Sequence, residues 1–378
     1  MKLIHLSDLH LGKRLNELSM IEDQRYILIQ ILSIIAGEQP DGVLLAGDIY
    51  DKAVPPAEAV QLFDFFLTSL ADQGIPVFVI NGNHDSAERL AFGAQLMSGR
   101  GIYMAPVYDG RVRKICLSDA YGEVHIHLLP FLKPALVRHA FETEPAESYE
   151  EAVRTALRHM EIDPQARNVL VAHQFVAGAS RCESEETPVG GLDMVSASVF
   201  DAFDYVALGH LHSPQPAGRD TIRYCGTPLK YSASEAEQKK SMTVVELGEK
   251  GAVTVRELFL KPLHEMRRLR GTYLEVTARS FYESFDREDY VYITLTDEED
   301  IPDGMAKLRI VYPNLMQLEY DNRRTRSIGP LPGVSEPEKK TELELFEEFY
   351  ELQNNQAMSG QQREFARRII EELKEDSR

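Results

Sequence analysis

The stretch VFVINGNHDSAERL, residues 77–90, joins an apolar strand to a polar turn. A short apolar run is typical of a strand that is covered on both faces of a sheet. Gly82 allows a tight turn that brings Asn83, His84 and Asp85 to the edge of that sheet. In open α/β sheets, ligands bind beyond the carboxyl ends of the strands. The stretch therefore predicts a buried parallel strand whose carboxyl end carries a functional site.

Strands and helices alternate around this stretch. The apolar runs predict strands at residues 2–7, 41–48, 75–80, 124–130, 168–172 and 204–208. Helical patterns lie between them at about 20–36, 57–72, 134–142 and 148–160. Two later strands are predicted in the segments IRYCGTP and MTVVEL. Repeated strand-helix-strand units predict an α/β fold with parallel pairing.

The charged segment PLHEMRRLRG, residues 262–271, interrupts the alternation and suggests a domain boundary. A small α/β unit follows, with strands predicted in 272–277, 289–296 and 315–320. Beyond it, Pro, Gly, Ser and charged residues without apolar periodicity predict a flexible linker. We divide the chain into a main domain at 1–265, a capping domain at 266–325, a linker at 326–340 and a helical segment at 341–378.

The helical segment contains two helices, and each carries an apolar stripe at helical spacing. The stripes contain Leu343, Phe346 and Phe349 in the first helix and Phe365, Ile369 and Leu373 in the second. Ser359 and Gln362 fit a capping box that starts the second helix. Such a pair either folds back on its own core or docks in the groove of a partner, and the pattern supports both readings equally.

The formal net charge of −19 argues against nucleic-acid binding, because a phosphate backbone favours Lys and Arg. Two features weaken this objection. Part of the acid lies beyond residue 336, and carboxylates that surround divalent cations are neutralised locally. A DNA-binding function must still account for the remaining charge.

Three widely spaced cysteines, Cys116, Cys182 and Cys225, form no CxxC pair, and their odd number argues against a disulfide framework. The first ten residues contain histidine and aspartate and do not form a signal-peptide core. The longest apolar stretch, at 27–37, is too short to span a bilayer. These features favour a cytoplasmic protein without a membrane segment.

Five polar clusters lie where predicted strands end: SDLH at 7–10, GD at 47–48, GNHD at 82–85, AHQ at 172–174 and GHLH at 209–212. Their Asp oxygens, Asn carbonyl and neutral imidazoles suit divalent cations of intermediate hardness, which favours Mn²⁺ or Fe²⁺ and also admits Zn²⁺. The candidate ligands are Asp8, His10, Asp48, Asn83, His173, His210 and His212. Asp48 is the natural bridge in a two-metal site of the kind that hydrolyses phosphoesters.

Some charged and imidazole side chains have a simpler explanation. His125 and His127 have the spacing of metal ligands, but they lie inside an apolar strand, so we predict that they are structural. Lys13, Arg14 and Arg89 lie just beyond the first and third clusters. They either contact phosphates near the metals or remain solvated surface charges.

The ordered clusters DxH, GD, GNHD, H and GHxH resemble the calcineurin-like metallophosphoesterase superfamily. Longer segments, among them LIHLSDLHLGK, GDIYDKAVPP, NGNHDSAERL and YVALGHLH, are similar to its SbcD family of bacterial nuclease subunits. The resemblance is close over about residues 1–320 and extends to the tail in pattern only. It implies a four-layer α/β core of two mixed sheets flanked by helices, a small α/β capping domain for DNA recognition and a C-terminal helical hairpin that binds a partner.

By position, the resemblance implies one metal held by Asp8, His10, Asp48 and His212 and a second held by Asp48, Asn83, His173 and His210. His84 matches the residue that assists at the leaving oxygen or the transition state, and Asp85 matches the carboxylate beside it. One departure from the archaeal relatives is Asp51, which stands where they carry a histidine. Bacterial members generally carry an aspartate there.

The resemblance implies a Mn²⁺-dependent nuclease that works with the coiled-coil ATPase SbcC in DNA end processing, repair, recombination and replication. Its expected form is a homodimer within a heterotetramer, and its expected activities are exonuclease on double-stranded ends and endonuclease on single strands and hairpins. No GxxxxGK[ST] loop occurs in the sequence, so ATP binding through a P-loop is assigned to the partner.

Two other functions stay open. The metal site alone would equally permit a phosphoesterase for small nucleotides or phosphoproteins, although the capping domain and the helical segment count against it. A non-enzymatic adaptor is disfavoured, because every expected ligand position is filled.

Overall fold

The computed structural model describes all residues except 17, 145, 181, 186–193, 324, 326–340, 355–356 and 377–378, and at 351–354 and 371–376 it describes the backbone only. The chain divides into two compact units, Met1–Leu263 and His264–Arg378. The predicted linker at 326–340 lies outside the described residues. None of the helices described is both long and apolar enough to cross a membrane.

The first unit alternates strands and helices along the chain. Its strands are β1 (Lys2–Leu6), β2 (Arg14–Leu15), β3 (Leu18–Ser19), β4 (Gly42–Ala46), β5 (Val77–Ile80), β6 (Ile102–Met104), β7 (Arg113–Asp119), β8 (Gly122–Leu128), β9 (Arg167–His173), β10 (Phe175–Val176), β11 (Met194–Val195), β12 (Tyr205–Gly209), β13 (Gln215–Ala217), β14 (Arg219–Tyr224), β15 (Ser241–Leu247) and β16 (Val253–Phe259). Its helices are α1 (Ile21–Glu38), α2 (Ala57–Asp72), α3 (Ala87–Leu90), α4 (Ala94–Ser98), α5 (Pro134–Ala140) and α6 (Tyr149–Arg158), with short 3₁₀ turns at Ala197–Phe200 and Ala233–Glu235.

Two six-stranded sheets form the framework of this unit. The first has the order β16-β15-β1-β4-β5-β6 and the second the order β13-β14-β12-β9-β8-β7. In the first sheet β1, β4, β5 and β6 are parallel, whereas β15 pairs antiparallel with β1, and β16 pairs antiparallel with β15. In the second sheet β8, β9, β12 and β14 are parallel, and the edge strands β7 and β13 are antiparallel. Both sheets are therefore mixed.

The two sheets face each other across an apolar core. Leu44 and Phe78 from the first sheet pack in one cluster with Val171 and Ala207 from the second. On the other face of the second sheet, helices α5 and α6 contribute to a separate cluster that includes Val137. Helices α1 and α2 contact each other, and α2 contacts β5 of the first sheet. Two mixed sheets flanked by helices confirm the expected fold class.

The second unit is built on a three-stranded parallel sheet. Its strands are β17 (Met266–Gly271), β18 (Tyr290–Leu295) and β19 (Leu315–Tyr320), in that order. Its shorter helices are α7 (Tyr273–Val276), α8 (Arg279–Tyr282) and α9 (Gly304–Val311). Val291 and Ile293 of β18 pack with Leu308 and Tyr312 in one apolar cluster.

The strand predicted at 272–277 is wrong, because β17 ends at Gly271 and residues Tyr273–Val276 form helix α7. The reason is a capping box. The Thr272 hydroxyl accepts a hydrogen bond from the Glu275 N–H, and the Glu275 side chain accepts one from the Thr272 N–H. The charged run before it, interpreted above as a boundary, has the alternating burial of a strand.

Two longer helices complete the second unit, α10 (Glu342–Asn354) and α11 (Gly360–Asp376). They contact each other. The Gln362 N–H donates to the Ser359 hydroxyl at 3.3 Å, and the Ser359 N–H donates to the Gln362 side chain at 2.8 Å. These two bonds confirm the predicted capping box at the start of α11.

A buried arginine forms an ion pair within the second sheet and links that sheet to the first. The buried guanidinium of Arg167, at the start of β9, donates to Asp119 Oδ1 at 2.5 Å and Oδ2 at 3.0 Å. It also donates to the carbonyls of Leu247, the last residue of β15 in the first sheet, and of Gly248, which follows it. Hydrogen bonds from Arg167 hold the pKa of the Asp119 carboxyl well below its ordinary range.

We predict that Asp119→Asn destabilises the protein at pH 7 by about 1–3 kcal/mol, because buried Arg167 loses its charged partner. A depressed folded-state pKa gives stability that is complete above the unfolded pKa of about 4 and is lost as the pH falls below it. The difference between wild type and variant in urea midpoint should therefore shrink below about pH 4. A difference that does not change with pH would contradict this assignment.

Candidate metal centre

The five polar clusters meet at one edge of the first unit. They follow β1, β4 and β5 of the first sheet and β9 and β12 of the second. Parallel strands present their carboxyl ends on the same side, and the facing arrangement of the sheets brings the two sets of ends together. The loops after β1 and β4 are also bonded directly, since the Asp8 N–H donates to the Gly47 carbonyl at 3.0 Å and the His10 N–H to the Asp48 carbonyl at 3.0 Å.

A first group of donors consists of Asp8, His10 and His212, all buried. One potential ligand atom from each lies within 4.8 Å of the others. The Nε2 atoms of His10 and His212 are 3.2 Å apart. Two imidazole nitrogens at this distance satisfy each other only if one of them carries a hydrogen, whereas a cation between them would serve both.

A second group lies around Asn83. Its Oδ1 atom is 3.0 Å from His173 Nε2 and 3.0 Å from His210 Nδ1. His173 Nε2 is also 3.3 Å from Asp48 Oδ2. The amide oxygen and two imidazoles converge on one point, as expected for ligands of a divalent cation of intermediate hardness.

Asp48 lies between the two groups. Its Oδ2 atom is 3.8 Å from His10 Nε2 in the first group as well as 3.3 Å from His173 Nε2 in the second. Its Oδ1 atom accepts the backbone N–H of His84 at 2.9 Å. The geometry is therefore that expected for a carboxylate that bridges two cations.

Burial and the neighbouring carboxylates shift the pKa values of these groups. It lowers the pKa of His210 to about 3 and that of His10 well below its ordinary value, so both rings are neutral and can bind a metal. Burial also raises the pKa of Asp8 above its ordinary value. Burial would lower the pKa of His173, but the Asp48 carboxylate outweighs it and raises the value to about 9. Two carboxylates in a buried cluster are a fit for bound cations, which would neutralise them.

Four of the candidate ligands have left-handed backbone conformations, with φ of 52° at Asp8, 44° at His10, 49° at Asp48 and 104° at His210. Non-glycine residues rarely adopt positive φ, and each such residue costs of order 1–3 kcal/mol. Strain of this kind persists only when the surrounding structure imposes it. No feature of the sequence signals it.

The chain matches the model of the calcineurin-like phosphoesterases over residues 1–214. It is also 31% identical to the SbcD subunit of the nuclease SbcCD from Staphylococcus epidermidis, over 98% of each chain. The chain belongs to the calcineurin-like phosphoesterases. Within them it belongs to the SbcD family, and residues 262–354 match the model described as the type 5 capsule protein repressor C-terminal domain.

Two solved structures are more distantly similar. A dimetal phosphatase from Danio rerio is 14% identical with a TM-score of 0.39, and the match covers 68% of this chain and 95% of that one. A protein of Thermus thermophilus is 11% identical with a TM-score of 0.39, and the match covers 68% of this chain and 98% of that one.

Calcineurin-like phosphoesterases bind divalent metals, and this chain has an Asp and His cluster that could hold them. The assignment of individual ligands in the cluster stays a prediction.

His84 and Asp85, the two residues predicted to act in catalysis, have different surroundings. His84 is half-buried, its Nδ1 atom is 3.0 Å from the Asp51 carbonyl oxygen, and one ring nitrogen lies within 4.8 Å of ligand atoms of His10 and Asp48. Asp85 accepts backbone N–H groups of Tyr50 at 2.9 Å, Ile49 at 3.1 Å and Gly82 at 2.9 Å. His84 thus lies beside the candidate ligands His10 and Asp48, whereas Asp85 ties two loops together. Burial, with a smaller contribution from the Asp48 charge, raises the pKa of Asp85 to about 6.

The three predicted phosphate contacts lie on different elements. Lys13 is partly buried, and its Nζ atom is 2.8 Å from Asp51 Oδ1. Arg14 in β2 and Arg89 in α3 are exposed. Their contact with DNA stays a prediction. His125 and His127, predicted to be structural, are buried in β8 and lie 2.8 Å from a Glu123 oxygen and 3.1 Å from Asn168 Oδ1.

Several residues around the cluster were not predicted from the sequence. Gln24 Nε2 donates to the His10 carbonyl at 2.7 Å, and the Tyr231 hydroxyl donates to the Leu9 carbonyl at 2.7 Å. Glu235 and Lys240 form a buried pair behind His212. These residues are more than ten positions from the loops that they support, so local pattern carries no signal for them.

Gly82 is required by a close approach. Its φ is not positive, but a Cβ at this position would lie 2.1 Å from Asp48 Oδ1 and 2.5 Å from Asp48 N. The sequence pattern predicts that Gly82 allows a tight turn. In the structure, glycine is needed because a side chain would not fit beside the Asp48 carboxylate.

We predict that Gly82→Ala displaces the Asp48 carboxylate and weakens Mn²⁺ binding by at least about 10-fold. Isothermal titration of the full chain with Mn²⁺ measures the change, and circular dichroism checks the fold. Gly37→Ala is a matched control, because a Cβ at Gly37 would meet no atom within 4 Å. Unchanged Mn²⁺ affinity in a folded Gly82→Ala protein would show that Asp48 does not bind the metal.

Proposed function

We propose that this chain is a divalent-metal-dependent DNA nuclease that acts with an SbcC-type ATPase. The observation that carries the proposal is the pair of donor groups that share Asp48, with His84 beside them. The relative that is similar over 98% of the chain is by name a nuclease and a subunit of SbcCD. The proposed cofactor is a pair of Mn²⁺ ions, with Fe²⁺ or Zn²⁺ as the alternatives.

One metal would be held by Asp8, His10, Asp48 and His212, and the other by Asp48, Asn83, His173 and His210. Bound divalent cations would lower the pKa of an attacking water and offset the negative charge on the phosphate oxygens. The chain itself keeps His10 and His210 neutral by burial and holds the donors in place through strained, hydrogen-bonded loops.

His84 would transfer a proton at the leaving oxygen of the phosphodiester. The Asp51 carbonyl can only accept a hydrogen bond, so the 3.0 Å contact with it places the hydrogen of a neutral ring on Nδ1. Nε2 is then the nitrogen that would take up a second proton from water and give it to the leaving oxygen. Asp85 would support this arrangement by tying the loop after β4 to the turn that carries His84.

The partner would supply two properties that this chain lacks for a function on DNA. The net charge of −19 is unfavourable for DNA, and no P-loop motif occurs in the sequence. An SbcC-type ATPase would supply basic surface and energy. We propose a heterotetramer built around a homodimer of this chain, located in the cytoplasm, with exonuclease activity on duplex ends and endonuclease activity on single strands and hairpins during DNA repair, recombination and replication.

The proposed docking surface for the partner is the apolar face of helices α10 and α11. Phe346, Phe365 and Ile369 line a groove of about 610 Å³ between these helices. Phe346, Phe349 and Phe365 are exposed, and Leu343 is half-buried. The side chain of Leu373, the last predicted contact, lies outside the described residues.

We predict that His84→Gln slows Mn²⁺-dependent digestion of linear duplex DNA by about 10²–10⁴-fold, because it removes the group that transfers the proton. Mn²⁺ binding should be retained. Digestion is measured with and without SbcC and ATP, and the exposed His139 provides the control variant His139→Gln. Wild type that cleaves a simple aryl phosphodiester but leaves DNA intact with SbcC and ATP would favour a phosphoesterase for small nucleotides or phosphoproteins.

We predict that Phe365→Glu weakens binding to SbcC by at least about 10-fold, since a charge would enter an apolar interface. Hydrolysis of a small aryl phosphodiester should be unchanged. Ile310→Glu is the matched control, because Ile310 is 76% exposed on another helix of the same unit. Equal SbcC binding by wild type and Phe365→Glu would exclude this groove as the docking surface.

A further inference from the structure

A chain of hydrogen-bonding groups lies behind His212 and is not explained by the fold alone. Ser184 Oγ is 2.7 Å from His212 Nδ1 and donates to Glu235 Oε1 at 2.6 Å. The other oxygen of Glu235 accepts from Lys240 Nζ at 2.6 Å. Lys240 also donates to the His212 carbonyl oxygen at 2.8 Å, so the chain returns to the residue from which it starts.

The donors and acceptors of this chain have only one consistent order. The Glu235 carboxylate can only accept, so the single hydroxyl hydrogen of Ser184 is used for the bond to Oε1. Ser184 must then accept a hydrogen from His212, which places that hydrogen on Nδ1. His212 Nε2, the atom 3.2 Å from His10 Nε2, is left with its lone pair directed to the candidate metal centre.

The ion pair between Glu235 and Lys240 is also costly to bury. Glu235 is 0% exposed and Lys240 is 4% exposed. Removing two charges from water carries a large desolvation penalty, and a well-packed apolar pair is often at least as stable. Stability alone is therefore a poor explanation for the pair, whereas orientation of an imidazole is a recurring use of a buried carboxylate.

In the other group of donors, the hydrogen-bond acceptor behind the histidine is weaker. His173 Nδ1 lies 2.8 Å from the Ala46 carbonyl oxygen, a neutral acceptor. A carboxylate behind an imidazole increases the basicity of the ring. A neutral carbonyl in the same place increases it less. The two groups of donors therefore differ in the support of their histidines.

We propose that Ser184, Glu235 and Lys240 are positioning residues that hold His212 in its Nδ1–H tautomer and thereby strengthen one of the two metal sites, the one with Asp8 and His10. This inference rests on the proposed metal-dependent function. It assigns no contact with the substrate to the three residues, which act through His212. Their loss should weaken one Mn²⁺ site and leave the site with His173 and His210 intact.

The test is Mn²⁺ titration of the full chain by calorimetry, beginning from protein stripped with a chelator. Wild type should bind two ions. In Glu235→Gln one of the two should bind about 10- to 100-fold more weakly, with the other unchanged. Titration with Co²⁺ gives a second readout, because its visible absorption reports the ligands of each site and should change for one site only.

Two serine variants keep the test decisive if Glu235→Gln does not fold. Ser184→Ala removes the hydroxyl that links His212 to Glu235 and should weaken the same metal site. Ser184→Thr keeps a hydroxyl and should bind Mn²⁺ at that site as wild type does. Ser232→Ala is the matched control, because Ser232 Oγ donates to the same Glu235 Oε1 atom at 3.0 Å but is not part of the path to His212. It should bind both ions as wild type does.

The outcomes separate the inference from the function on which it rests. Wild type that binds no Mn²⁺ would overturn the metal centre and the inference with it. Wild type with two bound ions and Ser184→Ala with the same two affinities would overturn the inference alone. Equal loss at both sites would also overturn it, since the effect would then be a general loosening of the fold.

Discussion

Two carboxylates, Asp8 and Asp48, are buried in one cluster, and the arrangement of the first unit follows from this constraint. Buried like charges are unstable unless hydrogen bonds and positive groups surround them. The His210 N–H donates to both Asp8 oxygens at 3.0 and 3.2 Å, and the His84 N–H donates to Asp48 at 2.9 Å. Loops from both sheets must therefore converge at the same edge, and parallel strands facing each other allow this.

Strained loops need support, and this support comes from residues that bind backbone rather than metal. Asp85 accepts three N–H groups from the loops after β4 and β5. Gln24 and Tyr231 hold the carbonyls of His10 and Leu9. These side chains explain how several candidate ligands can persist at positive φ.

The candidate metal ligands and the proposed docking groove lie in different units of the chain. All seven candidate ligands lie in Met1–Leu263, whereas the groove between α10 and α11 lies in His264–Arg378. The family assignment rests on both parts, since one matching model covers residues 1–214 and the other 262–354. A change in the helical groove can therefore be examined separately from a change in the cluster.

Local order in the sequence accounts for much of this protein. Apolar runs that end in polar residues predicted strands such as β4, β5 and β9, and the order of the clusters predicted which side chains would meet, because carboxyl ends of parallel strands share one edge. The strand predicted at 272–277 failed because a capping box at Thr272 outweighed the apolar pattern. Other features follow from the tertiary structure alone: the reason for Gly82, the positive φ of Asp8 and His210, and the pairing of Glu235 and Lys240 behind His212. Each of these depends on atoms from distant parts of the chain that come within a few ångströms, a relation that local spacing does not contain.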